Sequence, residues 1–413
     1  MRAGSSLRDW LAGIYELGDT SKANRNLPME GLRGLAVLLV FLVHYHALFN
    51  AWVSADSGTF AVSSFLWSIG HSGVDLFFVL SGYLIYGSVI RKHNAYTSFI
   101  KRRIERIYPT FLCVLAVYLL LSGVFPHESK IPSETIAAVP YILENILLLP
   151  GLFNIEPIIT VAWSLSYEFF YYLFIPFLVA LLAMRLWPKL SRVIFFFVLA
   201  GLLTGLSLSG YFHHLRLIMF IPGILLYEAL HSYRLGERLK PGFDYQVLLL
   251  LLITFPLIYI LSGQPGQVSL LLLPLSRLGD VCRVVVLFVS FFFLTLGCLS
   301  SQGLLKALFS CAPLRWYGNM SYSYYLIHGL TLKGVALGLA LLISPGGNSP
   351  AIFWGILPIA FFLTLLSSTI LFVFVEKRFS LLPGTSKATK SSVLQASAET
   401  VVTCQLADES QAT

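Results

Sequence analysis

The sequence predicts an all-α fold, a polytopic membrane helix bundle of about ten transmembrane helices. Of its 413 residues, 57% are hydrophobic and only 12% are charged, whereas about a quarter of the residues of a soluble protein are charged. The apolar segments are continuous rather than alternating, so they satisfy their backbone hydrogen bonds as helices and not as barrel strands. Each approaches the roughly 20 residues that crossing a membrane requires. The predicted spans lie at residues 33–53, 65–90, 107–125, 158–184, 193–210, 216–232, 245–262, 283–302, 318–343 and 351–375.

The chain divides into three predicted parts. Residues 1–28 lack the apolar core of a cleavable signal, and Leu7, Trp10, Leu11 and Ile14 recur in them at helical spacing, which predicts an amphipathic helix on the cytoplasmic membrane surface. Residues 29–378 form the predicted transmembrane domain. Residues 379–413 are rich in Ser, Thr and Ala, so we expect a disordered cytoplasmic tail. Two small-residue repeats, Gly201-x-x-x-Gly205 and Gly334-x-x-x-Gly338, predict closely packed helices.

The basic residues define the topology. If the N-terminus is cytoplasmic, 23 of the 28 Lys and Arg residues lie on the cytoplasmic side, which matches the positive-inside rule. We therefore expect a multi-pass protein of the inner membrane with both termini in the cytoplasm. The formal charge of +8 reflects these clusters between spans and does not indicate nucleic-acid binding. The five cysteines show no Cys-x-x-Cys spacing, so neither a disulfide framework nor a metal site is predicted.

Four ionisable residues, His44, Asp75, Glu168 and His328, fall about ten residues from the end of a predicted span and therefore near the bilayer midplane. Such groups are costly in lipid, so each is either a buried structural partner or part of a functional site. Their common depth favours a functional site. A neutral histidine can take a proton from a hydroxyl, and a carboxylate can orient it and stabilise the imidazolium. No Ser or Cys occurs in a nucleophile-elbow pattern, so general-base chemistry is favoured over a covalent serine enzyme.

A basic cluster precedes the third span. Arg103 and Arg106 are three residues apart and so share one helix face, and Arg33 lies on the same side of the membrane. Two interpretations carry equal weight. The cluster either anchors the topology by binding lipid phosphates, or forms a pocket for a phosphate-bearing cofactor, which guanidinium groups bind bidentately.

Five ordered motifs resemble the acyltransferase-3 family of integral membrane acyltransferases, and together they extend over residues 29–376. They are Gly31-Leu-Arg-Gly-Leu-Ala-Val leading to His44, Gly73-Val-Asp-Leu-Phe-Phe-Val-Leu-Ser-Gly-Tyr83, Arg103-x-x-Arg106 before Tyr108-Pro109, Trp163-Ser-Leu-Ser-Tyr-Glu168 and Ser321-Tyr-Ser-Tyr-Tyr-Leu-Ile-His328. The resemblance implies ten core helices and O-acylation of a sugar hydroxyl, with acyl-coenzyme A as the cytoplasmic donor. It also implies a catalytic role for His44 with Arg33 as its motif partner, and donor binding by Arg103 and Arg106.

The sequence therefore predicts a membrane O-acyltransferase that moves an acyl group, expected to be acetyl, from acyl-coenzyme A to a carbohydrate, glycolipid or exopolysaccharide hydroxyl. In this hypothesis His44 is the base, Glu168 or Asp75 orients it, His328 stabilises charge or relays a proton, and all share one cavity with the three arginines. The alternative is a proton-coupled transporter, which also uses a midplane relay. The two halves of the chain show no repeated motif of the kind many transporters carry.

Overall fold

The computed structural model is all-helical and describes residues 6–17, 26–91, 96–262, 276–300, 303–346 and 349–381. Within these ranges ten segments are long and apolar enough to cross a membrane, and they overlap all ten predicted spans. The fold class is therefore confirmed. The helices are α1 (Leu7–Tyr15), α2 (Leu27–Phe49), α3 (Gly58–Gly70), α4 (Ser72–Arg91), α5 (Tyr96–Val124), α6 (Thr135–Ile146), α7 (Ala162–Leu181), α8 (Lys189–Leu208), α9 (Ile221–Tyr227), α10 (Phe243–Leu261), α11 (Ser276–Ser300), α12 (Leu304–Phe309), α13 (Ala312–Asn319), α14 (Ser321–Leu342) and α15 (Pro350–Leu371).

The second span is broken into α3 and α4 at His71. The Ser72 hydroxyl donates to the Ile69 carbonyl oxygen at 2.5 Å, which adds a side-chain hydrogen bond at the end of α3. Asp75 consequently lies in the first turn of α4, where the partial positive charge of the helix N-terminus stabilises a carboxylate.

Two spans end in π-helical turns, at Glu228–Ser232 after α9 and at Phe372–Leu381 after α15. Such turns are rare and often occur at functional sites. Each turn carries a glutamate with no exposed surface, Glu228 and Glu376. Both carboxylates meet an arginine from a neighbouring helix.

The N-terminal segment forms the predicted helix, which begins with a capping box between Ser6 and Asp9. Leu7 and Trp10 are exposed, as expected for a helix whose apolar side chains face lipid. Glu16, directly after the helix, accepts two hydrogen bonds from Arg315, which fixes this helix end to α13.

The C-terminal boundary needs a correction. Residues 379–381 belong to the π-helical end of the last span, so the predicted tail cannot begin at residue 379. The disorder expected for the rest of the tail falls on residues 382–413, which lie outside the described residues.

Glycines allow the central helices to approach closely, but not at the repeats predicted from the sequence. A Cβ atom added at Gly31 of α2 would overlap the carbonyl oxygen of Phe309 in α12, and one at Gly223 of α9 would overlap that of Val79 in α4. Apart from the adjacent turns of the same helix, no described atom lies within 4 Å of a Cβ added at any glycine of the two small-residue repeats. The prediction of close packing there is therefore wrong within the described chain.

Replacing Gly223 with Ala should lower the free energy of unfolding by about 1–3 kcal/mol, because the added methyl group must displace the backbone of α4. Gly201→Ala is the matched control in α8, and it should leave stability unchanged or slightly higher because the site is open. Thermal unfolding of the two detergent-purified variants measures the difference. Equal unfolding midpoints would contradict the close approach of α4 and α9.

Candidate active site

A cavity lined by the three predicted arginines and Glu168 lies between α2, α4, α5, α7 and α14. We call it the arginine cavity. Arg33, Arg103 and Arg106 carry three guanidinium groups against the single carboxylate of Glu168. Much of the remaining lining is apolar and includes Val74, Phe77, Phe78, Leu80, Leu84 and Ile85. The cavity therefore combines positively charged groups with apolar surface.

Hydrogen bonds and ring contacts hold Arg33 and Arg103 in place. The Arg33 Nε atom donates to the Ser321 hydroxyl at 3.1 Å. The Arg103 guanidinium lies over the rings of Phe99 and Tyr172, at 5.1 and 4.9 Å from their centroids, a favourable cation–π arrangement. These contacts fix the guanidinium groups at the lining of the cavity.

Arg106 is held by Glu376, from the π-helical end of the last span. Its Nη2 atom lies 2.8 Å from Glu376 Oε1, and the other carboxylate oxygen accepts from the Ser323 backbone N–H and hydroxyl. The buried Arg106 Nη1 atom has no hydrogen-bond partner among the described residues. Because buried donors are nearly always paired, this N–H is available to a ligand in the cavity.

Glu168 faces the arginines and not the histidines. Its carboxylate accepts from the Ser81 hydroxyl at 2.9 Å and from the Tyr172 hydroxyl at 2.5 Å. Neither imidazole makes a hydrogen bond to a carboxylate within the described part of the chain. The structure therefore does not support the prediction that Glu168 orients His44.

His44 and His328 contact each other. The Nδ1 atom of His44 lies 3.3 Å from Nε2 of His328, and the rings are nearly perpendicular with centroids 4.8 Å apart. Each Nδ1 also lies 2.9 Å from the carbonyl oxygen four residues earlier, that of Val40 or Tyr324. We call these residues the histidine pair.

The hydrogen-bond partners assign the tautomers. A carbonyl oxygen only accepts, so both Nδ1 atoms carry a proton and both Nε2 atoms hold a lone pair. The His328 lone pair is directed toward His44 Nδ1. The Nε2 atom of His44 has no partner in the described ranges, and the residue is only partly buried. His44 therefore presents a free basic nitrogen, oriented by Val40 and His328 in place of the predicted carboxylate.

One aromatic residue connects the histidine pair with the arginine cavity. The ring of Tyr325 lines the cavity and lies 6.1 Å from that of His328, and its hydroxyl is 2.6 Å from the Ser164 hydroxyl. The histidines themselves do not line the cavity. Of the seven residues predicted to share one cavity, Arg33, Arg103, Arg106 and Glu168 line it. The histidine pair lies outside the cavity lining, next to Tyr325.

Asp75 is the second correction. It lies on the other face of α4 from the arginine cavity, where Arg216 Nε is 3.8 Å from its Oδ1 atom. It lines a different cavity from Glu168. Asp75 therefore cannot orient His44 in this arrangement.

The sequence did not predict the roles of Ser321 and Tyr325, which contact Arg33 and His328. Both belong to the motif that ends in His328, but only the histidine is ionisable near neutral pH. Glu376 precedes Lys377 and Arg378 and so resembles an ordinary charged membrane boundary. The apolar residues directly before Glu376 are the sequence feature that could have indicated its burial.

Comparison with known proteins places these features in context. A family model described as an acyltransferase domain, that of the acyltransferase-3 family, matches residues 27–373. This range contains every residue that lines the arginine cavity and both histidines, and it ends before Glu376.

Curated relatives are distant. The O-acetyltransferase OatA of Staphylococcus aureus is 30% identical over 178 residues, which cover 40% of this chain and 26% of that protein. The exopolysaccharide production protein ExoZ of Rhizobium meliloti is 26% identical over 281 residues, which cover 66% of this chain and 80% of that protein. The chain therefore spans about a quarter of the length of OatA. No solved structure matches the chain.

Proposed function

The chain belongs to the acyltransferase-3 family of membrane acyltransferases, and we propose that it transfers an acetyl group from acetyl-coenzyme A to a hydroxyl of a cell-surface glycan. One observation carries the proposal. Tyr325 lines the arginine-rich cavity and packs against His328, which in turn contacts His44, the histidine with a free basic nitrogen. Family membership favours acyl transfer over the proton-coupled transporter.

The donor fits the arginine cavity. Coenzyme A combines phosphate groups with a long, thin and only mildly polar pantetheine arm. Arg33, Arg103 and Arg106 offer guanidinium donors to the phosphates, while the apolar wall accommodates the arm. In this pose the arm extends past Tyr325 toward His44. The charge distribution of the sequence supports a cytoplasmic location for the arginines.

The reaction follows from the histidine tautomers. The Nε2 atom of His44 takes the proton of the acceptor hydroxyl as its oxygen attacks the thioester carbonyl. The tetrahedral intermediate then collapses, the carbon–sulfur bond breaks, and the coenzyme A thiolate takes the proton from the imidazolium. His328 and the Val40 carbonyl oxygen hold the ring so that Nε2 faces the substrates. Protein around the site excludes water, which would otherwise hydrolyse the thioester.

The glycan acceptor is the least constrained part of the proposal. Its support is that one relative is named an O-acetyltransferase and another an exopolysaccharide production protein. Mass spectrometry of surface and secreted glycans from cells with and without this protein tests it. One additional acetyl group per glycan repeat in the presence of the protein is the expected result, and identical glycans would overturn the proposal.

Replacing His44 with Ala should lower the rate of acetyl transfer by roughly 10²- to 10⁴-fold, the usual contribution of a general base. The apolar replacement suits a membrane helix, so insertion should be normal. His46→Ala is the matched control, because His46 lies on the same helix but contacts Phe60 and Trp67. Wild-type acetylation in the His44 variant, or an equal loss in the control, would exclude His44 as the base.

Replacing both Arg103 and Arg106 with Gln should raise the KM for acetyl-coenzyme A with little change in kcat, because these residues bind parts of the donor that do not react. Arg102→Gln is the control, since Arg102 has the same charge but is exposed. An unchanged KM in the double variant would indicate that the cluster is a topology anchor.

Glu376→Gln should also raise the donor KM, because Arg106 loses the carboxylate that fixes it. Adding Arg106→Gln should then raise KM by less than it does in the wild-type protein, since Glu376 acts through Arg106. Glu228→Gln is the control because it removes an equally buried carboxylate that pairs with Arg192. Both glutamate variants should be destabilised, by up to about 3–5 kcal/mol, but only Glu376→Gln should alter KM. Additive effects would contradict a positioning role.

A further inference from the structure

A second polar cavity, of about 250 Å³, lies beside α4 on the face opposite the arginine cavity. Its polar lining residues are Asp75, Tyr167, His213, Arg216, Asp280 and Arg283. Asp280 is 63% exposed and Asp75 only 2%, so Asp280 lies at the rim and Asp75 at the floor. We call it the far cavity.

The far cavity opens toward the opposite side of the membrane from the arginine cavity. Arg216, Asp280 and Arg283 lie near the N-terminal ends of the sixth and eighth spans, whereas Asp75 lies midway along the second. Arg33 and Arg103 lie near the N-terminal ends of the first and third spans. Because successive spans cross in alternating directions, even-numbered and odd-numbered spans begin on opposite sides. A ligand of the far cavity therefore enters from the side opposite the donor.

The charged groups of the far cavity are only loosely paired. Arg216 Nε is 3.8 Å from Asp75, and Arg283 is 3.4 Å from Asp280. Both Asp75 Oδ1 and Arg283 Nε are buried without a hydrogen-bond partner among the described residues.

A buried pair elsewhere in the protein shows the contrast. Arg192 donates to both oxygens of Glu228 at 2.7 and 3.1 Å, and the carboxylate also accepts from Tyr86 and Ser232. Buried polar atoms are normally satisfied in this way. The unsatisfied atoms of the far cavity are therefore available for a ligand.

The far cavity shares its walls with the arginine cavity. On α4, Val74 lines the arginine cavity and Asp75 the far cavity, and on α7 Glu168 and Tyr167 divide in the same way. The far cavity is therefore adjacent to the arginine cavity.

The chemistry of the lining indicates the ligand. Two carboxylates accept hydrogen bonds and two guanidinium groups donate them, so their formal charges cancel and a phosphate or sulfate gains little. A sugar hydroxyl both donates and accepts hydrogen bonds, so it can pair with the carboxylates and with the guanidinium groups. We propose that the far cavity binds neutral sugar hydroxyls of the acceptor glycan. This inference rests on the proposed function, because it supplies that reaction with its second substrate.

The test uses the full-length protein in nanodiscs, with acetyl-coenzyme A as donor and glycan from the producing cell as acceptor, stripped of ester-linked acetyl groups with mild alkali. Arg283→Gln should raise the acceptor KM roughly ten- to hundredfold, the effect of losing hydrogen bonds to a buried charged group. The donor KM should not change. Arg277→Gln is the matched control, because Arg277 lies on the same helix but is exposed.

A binding measurement separates this inference from the proposed function. The stripped glycan should raise the unfolding temperature of the wild-type protein and of the control, but not that of Arg283→Gln. Asp75→Asn should behave like Arg283→Gln. If only one of these two variants folds, that variant alone is enough for the test. No stabilisation of the wild-type protein, stabilisation by inorganic phosphate in place of the glycan, or an unchanged acceptor KM in Arg283→Gln would each overturn the inference. Stabilisation without acetyl transfer would refute the proposed function alone.

Discussion

The 2.8 Å contact between Arg106 and Glu376 is the interaction on which the arginine cavity depends. A guanidinium group inside a membrane domain is costly unless it is paired, and here its partner comes from the last helix of the described chain. Glu376 also accepts from Ser323 on α14, and two residues earlier Ser321 accepts from Arg33 on α2. These contacts join the first, third, ninth and tenth spans around one cavity.

The two buried glutamates show how similar local structures serve different purposes. Glu228 and Glu376 both lie in π-helical turns and both meet an arginine and a serine. Around Glu228 every carboxylate oxygen has several donors, so the cluster fastens α8 to α9. Around Glu376 the arginine retains an unpartnered N–H. In the proposed function that N–H is satisfied by the donor's phosphate, so the same motif becomes a binding site.

Position along a helix can be counted from the sequence, but orientation around the helix axis cannot. Counting residues along an apolar span gives an expected level for His44, Asp75, Glu168 and His328, because the rise per residue is constant. Which way Asp75 faces depends on the break at His71 and on close packing around α4. The encounter of Glu376 with Arg106 joins residues 270 positions apart. Contacts between residues so far apart leave no pattern in the local sequence. The glycine repeats show the same limit, because a local spacing did not predict which helices pack closely.

In the proposed reaction, neither substrate has to cross the membrane. The donor's charged groups stay on the side of the arginines, and the acceptor enters from the side of Asp280 and Arg283. Adjacent residues on α4, Val74 and Asp75, face the two cavities, and so do Glu168 and Tyr167 on α7, so the barrier between them is thin. Only the small, uncharged acetyl group has to pass from one side to the other. The energetic cost of moving charge through hydrocarbon is thereby avoided.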